Sequence, residues 1–198
     1  MEELKWEITL HDLKDEVGNV TSHKSLRRTD TQETISVMSK SYMPFYNFEF
    51  TRLCKDIQNL TNYEILGYQE WNGGKVVLGY LQNPNQTELL GHKTKEYLVV
   101  GNSHNGSTSL FLGTSSVMIR CMNAFGDISQ NLKVYHTSGL HNNLMFSMNS
   151  FTEYLNKKDA FYNKLSLLGG VNVGEEEAKK LVEELTITKH NNGTISTR

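Results

Sequence analysis

Short stretches of alternating apolar and polar residues dominate the first two thirds of the chain. The clearest pair, residues 63–71 and 75–81, flanks Asn72-Gly73-Gly74. Alternation with a period of two is typical of β-strands, and Asn-Gly supplies the positive φ angles of a tight hairpin turn. The sequence therefore predicts an antiparallel hairpin here. Similar signals predict further strands at residues 6–10, 34–42, 97–102, 107–112 and 117–120.

Other parts of the chain show the spacing of amphipathic helices. A stripe of apolar residues that begins at Phe50 and ends at Leu60 follows the helical period, so one face of a helix of about four turns would be buried. Asn47 is suited to cap this helix. The polar stretch 82–95 reads as a loop. Helical spacing also occurs over residues 122–135, 150–168 and 175–185.

This order of elements predicts an α+β fold rather than a doubly wound parallel sheet. We expect an antiparallel sheet of about five strands, built from hairpins and packed by helices, with a C-terminal helical segment. The predicted organisation is an N-terminal arm (1–33), an α+β core (34–136) and a C-terminal helical appendage (137–198). An apolar-faced helix so near residue 198 leads us to expect that the natural protein continues.

Composition excludes several classes of protein. The 198 residues include 20 basic and 22 acidic side chains, for a net charge of −2, so the chain is not a polycation. No apolar run is long enough to span a membrane, and the charged start is not a secretory signal. We therefore expect a protein without membrane contact. The two cysteines, Cys54 and Cys121, have no partner spacing for a disulfide scaffold or a zinc site.

The usual catalytic signatures are not found. The segment 91–94, Gly-His-Lys-Thr, lacks the upstream glycine of a nucleotide-binding loop, and neither a dinucleotide fingerprint nor a nucleophile elbow occurs. His136 and His141 have no further ligands at matching spacing. The sequence thus predicts no catalytic residue, no metal and no cofactor, and it favours a protein that is not an enzyme. A hydrolase whose site has no recognised pattern is a further alternative.

The basic residues suggest a different kind of site. Cations from several elements could neutralise phosphates, and Trp71 could stack on a base. The alternative is a solvated surface of mixed charge, and the hypothesis requires that these residues meet on one face. The predicted phosphate contacts are Arg27, Arg28, Lys40, Arg52, Lys55, Lys75 and Arg120.

One stretch of sequence resembles a known family. Residues 97–107, followed by 117–123, resemble the signature of a phage/plasmid-related protein family of unknown function, and residues 135–137 resemble a later segment of it. The resemblance implies a phage, prophage or plasmid protein in the bacterial cytoplasm. The order of elements is more loosely similar to phage single-strand annealing proteins, which bind single-stranded DNA and form rings or filaments. The signature turn consists of Asn102, Ser103, His104, Asn105 and Gly106, and its residues also suit a purely structural tight turn.

The sequence therefore supports two hypotheses from different classes. The first is a non-enzymatic phage or plasmid protein that binds single-stranded nucleic acid, in recombination or annealing, as a homo-oligomer. The second is a protein-interaction module, either a virion component or an anti-defence inhibitor of a host protein. Binding that weakens steeply with salt would support the first of them.

Overall fold

A computed structural model describes residues 4–85, 87–89, 92–115, 129–169, 174–177, 179–180, 187–189 and 195–197. The chain divides into two compact units, one that ends at Lys157 and one that begins at Lys158. The predicted α+β fold with a hairpin-built antiparallel sheet of five strands is confirmed.

A three-stranded antiparallel sheet opens the chain. Strands β1 (Ile8–Lys14), β2 (Val20–Arg28) and β3 (Thr34–Ser39) lie in that order, so residues of the predicted N-terminal arm share a sheet with the start of the predicted core. The register of β2 against β3 shifts between Leu26 and Arg27. This irregularity gives β3 one extra residue opposite β2. Such a β-bulge bends the strand that contains it.

Helix α1 spans Asn47–Thr61 and follows the predicted apolar stripe. Phe50, Leu53, Cys54 and Ile57 are buried, because the helical period places them on one face. The predicted N-cap is wrong by one residue, since Tyr46 is the N-cap and Asn47 is the first residue of the helix. The Asn47 side chain is therefore free to bond elsewhere in the fold.

A five-stranded antiparallel sheet forms the centre of the first unit, in the order β10-β9-β8-β5-β4. One face of this sheet packs on α1 in the main hydrophobic core, and the other face carries a second buried cluster around Tyr80 and Phe111. Between β5 and β8, where a loop was predicted, β6 and β7 form a separate short hairpin. The strands are β4 (Glu64–Trp71), β5 (Val76–Gln82), β6 (Thr87–Leu89), β7 (His92–Thr94), β8 (Tyr97–Ser103), β9 (Leu110–Ser115) and β10 (Ser129–Val134).

Strand β10 corrects the helix predicted over residues 122–135, at least for 129–134. Leu132 and Val134 are two positions apart and both pack on the main core, which is the period of a strand. Pairing with β9 decides the conformation here, because tertiary contacts override a weak helical spacing. The strand predicted at 117–120, and Arg120 with it, lies outside the described residues.

Helix α2 (Leu140–Gly169) contains the helix predicted over 150–168 but begins earlier. Its buried residues Leu140 and Phe151 belong to the main core of the first unit. Within the second unit, β11 (Ile187–Lys189) and β12 (Ile195–Thr197) form an antiparallel pair. No helix of the described residues combines the length and apolar character needed to span a membrane.

Candidate functional site

The signature turn is largely buried and meets distant segments of the chain. We call the turn, together with Trp6, Glu7, Arg28, Tyr42, Asn47 and His136, the junction. Asn102, Ser103 and His104 are fully buried, whereas Asn105 is half-buried and Gly106 is exposed with φ of 70°. The positive φ at Gly106 is a conformation that favours glycine. Three of the five residues thus point into the protein, where each must find polar partners.

Hydrogen bonds within the turn close it. The Ser103 hydroxyl donates to the Thr108 carbonyl over 2.6 Å and accepts from the Thr108 amide over 3.1 Å. The Asn105 side-chain oxygen accepts from the Ser107 amide over 3.1 Å. The Ser103 hydroxyl is therefore engaged in the turn itself and is not prepared to act as a nucleophile.

His104 connects four separate segments. Its Nε2 lies 2.9 Å from the side-chain oxygen of Asn47, whose amide nitrogen donates to the Trp6 carbonyl over 2.9 Å. Because that assignment leaves the Asn47 oxygen as the acceptor, His104 carries its proton on Nε2. The His104 amide donates to the Lys75 carbonyl, and the His104 carbonyl accepts from the Ser36 hydroxyl.

Trp6 lies between His104 and a buried arginine. Its ring meets the His104 ring edge-on, with centroids 5.6 Å apart, and the Arg28 guanidinium lies 4.0 Å from its centroid. Glu70 Oε2 accepts from Trp6 Nε1 over 2.6 Å and from Arg28 Nη1 over 2.9 Å. Asp30 accepts from Arg28 Nε and Nη2, and these bonds lower the pKa of Asp30 to about 2. Two carboxylates, each 42% exposed, therefore neutralise the buried Arg28 side chain.

Glu7 caps α1 from a distant part of the chain. Its two carboxylate oxygens accept from the amides of Asn47 (3.0 Å) and Phe48 (2.6 Å), which otherwise have no partner within the helix. The negative charge also suits the positive end of the helix dipole. Burial raises the pKa of Glu7, although the amide hydrogen bonds oppose the shift.

A second histidine lies on the other side of Tyr42. The Tyr42 hydroxyl donates to the Ser103 carbonyl over 2.8 Å, and the Tyr42 ring stacks on His136 with centroids 5.0 Å apart. His136 Nδ1 lies 3.1 Å from the Met43 carbonyl. Since a carbonyl can only accept, Nδ1 carries the proton. Burial lowers the pKa of His136.

Three buried acceptors around this junction have no partner among the described residues: His104 Nδ1, His136 Nε2 and the side-chain oxygen of Asn102. Burial, and after it the charges of His136 and Arg28, lowers the pKa of His104 to about 3. Both imidazoles are therefore neutral near pH 7. Burial also raises the pKa of the Cys54 thiol, so it is not a thiolate nucleophile.

The described part of the chain has no group of three or more His, Cys, Asp or Glu side chains placed to hold a metal ion. The junction joins segments by hydrogen bonds, and its buried cation, Arg28, is neutralised by Glu70 and Asp30. Such an arrangement is suited to hold the two sheets and α1 together rather than to transfer protons.

One protein family matches the chain. A domain of unknown function, DUF932, matches residues 34–198, which is most of the chain. The chain belongs to the DUF932 family. Among curated proteins and among solved structures, nothing matches it.

DUF932 includes the signature turn, Asn47 and His136, whereas Trp6, Glu7 and Arg28 precede the matched region. In this member of the family, the segment before residue 34 therefore contributes side chains to the junction. The expectation that the chain belongs to a family of unknown function is confirmed.

The predicted phosphate contacts lie on several elements of this DUF932 protein. Arg28 is neutralised in the junction, and Trp71 is half-buried against the second apolar cluster. Among the described cations of this prediction, Arg27 and Arg28 share β2, and Arg52 and Lys55 share α1. Arg27 lies on β2, Lys40 follows β3, Lys75 precedes β5, and Lys40, Arg52, Lys55 and Lys75 are exposed.

Phe48 is not among the nucleic-acid contacts predicted from the sequence. This side chain is 61% exposed in the first turn of α1, and it lies four and seven positions before Arg52 and Lys55. That spacing places all three on one helical face, opposite the buried face, so the signal was present in the sequence. Tyr46 stacks on Phe48 with centroids 5.8 Å apart. We call Tyr46, Phe48, Arg52 and Lys55 the α1 surface.

Proposed function

We propose that this protein is not an enzyme and that it binds single-stranded nucleic acid through the α1 surface. The observation that carries the proposal is the shared exposed face of Phe48, Arg52 and Lys55. Proteins that bind single strands without strong sequence preference combine cations along the backbone with aromatic side chains on which bases stack. The α1 surface supplies both within two turns of one helix.

The two cations are available for phosphates. None of the ion pairs within the described residues includes Arg52 or Lys55. The nearby carboxylate of Glu49 accepts from the Tyr46 amide over 2.9 Å and lies 2.8 Å from His141 Nε2. Because Glu49 has these partners, it does not neutralise Arg52 by an ion pair.

The aromatic pair supports base stacking. Tyr46 and Phe48 are stacked with an interplanar angle of 22°, which restrains the exposed Phe48 ring. A ring that is held in place loses less conformational entropy when a base stacks on it. Stacking of one base on an aromatic side chain contributes about 1–3 kcal/mol.

A phage or plasmid setting, a cytoplasmic location and an annealing role in a homo-oligomer are also part of the proposal. They rest on the resemblance of residues 97–123 to a phage/plasmid-related family and on the order of strands and helices. An annealing protein would use the α1 surfaces of neighbouring copies to hold one strand in an extended form.

Fluorescence anisotropy with a labelled 40-mer of single-stranded DNA tests the proposal at several salt concentrations. We expect the Arg52→Gln/Lys55→Gln variant to bind more weakly and to lower the salt slope by about 1.4, or about 0.7 for each lost phosphate contact. Phe48→Ala should weaken binding by about fivefold or more. No binding by the unmodified protein at low salt would overturn the proposal.

A matched control uses two exposed lysines of α2. The Lys157→Gln/Lys164→Gln variant changes the net charge by the same amount as the α1 variant. It should retain nearly all of the affinity and the salt slope. An equal loss in both variants would show that only the overall charge matters, which contradicts a site on α1.

The alternative, a protein-interaction module, is favoured by one observation. Met145 and Phe146 are adjacent on α2 and are 72% and 75% exposed, and exposed apolar residues of this size are typical of contact surfaces. This function would be indicated if the protein did not bind DNA at low salt. A second indication would be an assembly, measured by light scattering, that Met145→Ser/Phe146→Ser disperses.

A further inference from the structure

One face of the three-stranded sheet carries a row of polar side chains. Leu26 and Arg28 of β2 are buried toward the main core and the Trp6 junction, and alternate residues of a strand point to opposite faces. Ser25 and Arg27 therefore lie on the other face. Pairing places Thr9 opposite Arg27, and both His11 and Val37 opposite Ser25. We call Thr9, His11, His23, Ser25, Arg27, Val37 and Ser39 the outer face.

Two donors on the outer face have no hydrogen-bond partner in the described part of the chain. Ser25 is only 2% exposed, and neither its hydroxyl nor Arg27 Nε has a hydrogen-bond partner among the described residues. The two side chains are neighbours on one face, since they are two positions apart in β2. A buried polar group without a partner is costly to the fold and calls for a specific explanation.

The chemistry of the outer face favours an oxyanion. Its members include an arginine, two histidines and three hydroxyl side chains, and none of them is acidic. No ion pair of the described residues includes Arg27, because the nearby Asp30 is bonded to Arg28 instead. A guanidinium presents several N–H groups in a plane, a geometry that matches the oxygens of phosphate.

We propose that Ser25 and Arg27 form a phosphate-binding site on the outer face of the three-stranded sheet. The phosphate accepts from Arg27 Nε and from the Ser25 hydroxyl, which satisfies both unpaired donors. His11, opposite Ser25, and His23 lie on the same face. The phosphate is either a free or terminal group or a diester of a nucleic-acid backbone. The site uses β1–β3 and is independent of the α1 surface.

Nitrogen-15 NMR of the full chain tests this site, because the Nε–H group of an arginine gives its own signal. We expect inorganic phosphate to shift the Arg27 Nε–H signal with saturation, whereas sodium chloride at equal ionic strength does not. The Arg28 Nε–H group already donates to Asp30, so its signal should shift much less with phosphate and acts as the internal control. A shift that chloride reproduces, or that is the same for both arginines, would overturn the proposal.

Ser25→Ala separates a binding role from a structural one. The change removes an unpaired hydroxyl, so the midpoint of urea unfolding should stay the same or rise. Phosphate affinity should fall by about tenfold, the effect expected when a hydrogen bond to a charged group is lost. Unchanged phosphate affinity in Ser25→Ala would contradict the site. Arg27→Lys, which keeps the charge but loses the planar donors, should weaken binding in the same direction.

Two further arms identify the source of the phosphate. Oligothymidylate with a 5′-phosphate and the same strand without it are titrated while the Arg27 signal is observed. A shift with both strands indicates the backbone diester, and a shift with the phosphorylated strand alone indicates a terminal monoester. If phosphate shifts Arg27 but no strand binds at all, the site stands and the proposed function fails. If strands bind through α1 but phosphate has no effect on the Arg27 signal, the proposed function stands and the phosphate site fails.

Discussion

His104 Nε2 and the side-chain oxygen of Asn47 lie 2.9 Å apart, although 57 positions separate the two residues in the chain. The bond joins the end of β8 to the first residue of α1. Because Asn47 also donates to the Trp6 carbonyl, one amide side chain links the N-terminal segment, α1 and the five-stranded sheet. Both residues are buried, so water cannot replace either bond without a change in packing.

Asn47→Ala should lower the free energy of unfolding by about 2–4 kcal/mol. The change leaves His104 Nε2 and the Trp6 carbonyl buried without partners, and each such group costs about 1–3 kcal/mol. Urea unfolding followed by circular dichroism measures the effect. Asn59→Ala, an exposed position on α1, is the control and should change stability by less than about 0.5 kcal/mol. Equal effects would show that the buried bonds do not contribute.

Stability should fall as the pH drops below about 6.5. The pKa of His104 is lowered to about 3 in the folded protein, whereas an unfolded histidine titrates near 6.5. Between these pH values the unfolded chain binds more protons than the folded protein does. The stabilising contribution of His104 is therefore complete above pH 6.5 and is lost toward pH 3. The expected slope is about 1.4 kcal/mol per pH unit for this group. His136, whose pKa burial also lowers, acts in the same direction.

The contribution of His104 can be isolated from the carboxylates. The pKa of Asp30 is lowered to about 2, so its contribution is lost only below the usual aspartate range. Unfolding measured between pH 6.5 and 5 therefore reports on histidines and on Glu7, whose raised pKa gives a slope of the opposite sign. We expect the slope of His104→Asn to be smaller than that of the unmodified protein, and that of His136→Gln likewise. Slopes that are unchanged in both variants would contradict the assignment.

Gly74→Ala should be more destabilising than Gly73→Ala. Both glycines have positive φ angles, +86° and +67°, but a Cβ at Gly74 would lie 2.7 Å from the Trp6 ring and from Arg28 Nη1. A Cβ at Gly73 would meet nothing within 4 Å. Both variants lose about 1–2 kcal/mol from the backbone conformation, and Gly74→Ala loses about 1–3 kcal/mol more from overpacking. Thermal unfolding of the two variants decides the comparison.

Gly101→Ala should destabilise the five-stranded sheet by about 1–3 kcal/mol. A Cβ at this position would collide with the ring of Phe111 on the neighbouring strand and would lie 2.9 Å from Leu78. The double variant Gly101→Ala/Phe111→Leu provides room for the new methyl group. Its loss of stability should be smaller than the sum of the two single losses. Additive losses in urea unfolding would show that the predicted contact is not the cause.

Local patterns predicted the elements whose residues are close in sequence. The turn at Asn72-Gly73-Gly74 and the alternation around it are sufficient for β4 and β5, because a tight turn brings the two strands together at once. Helix α1 likewise follows from its apolar stripe. The pattern did not predict β10, since Leu132 and Val134 form a strand only through pairing with β9.

The site depends on contacts that the sequence does not encode locally. The sequence alone determined which residues could cap, turn or carry charge, among them the signature turn and the cations of α1. Only the tertiary structure decided that Arg28 is neutralised by Asp30 and Glu70, while Arg52 and Lys55 stay exposed. The physical reason is that an ion pair or a buried hydrogen bond depends on distance in space, and Arg28 and Glu70 are 42 positions apart. Local periodicity reports which face of an element is buried, but not which distant side chain lies against it.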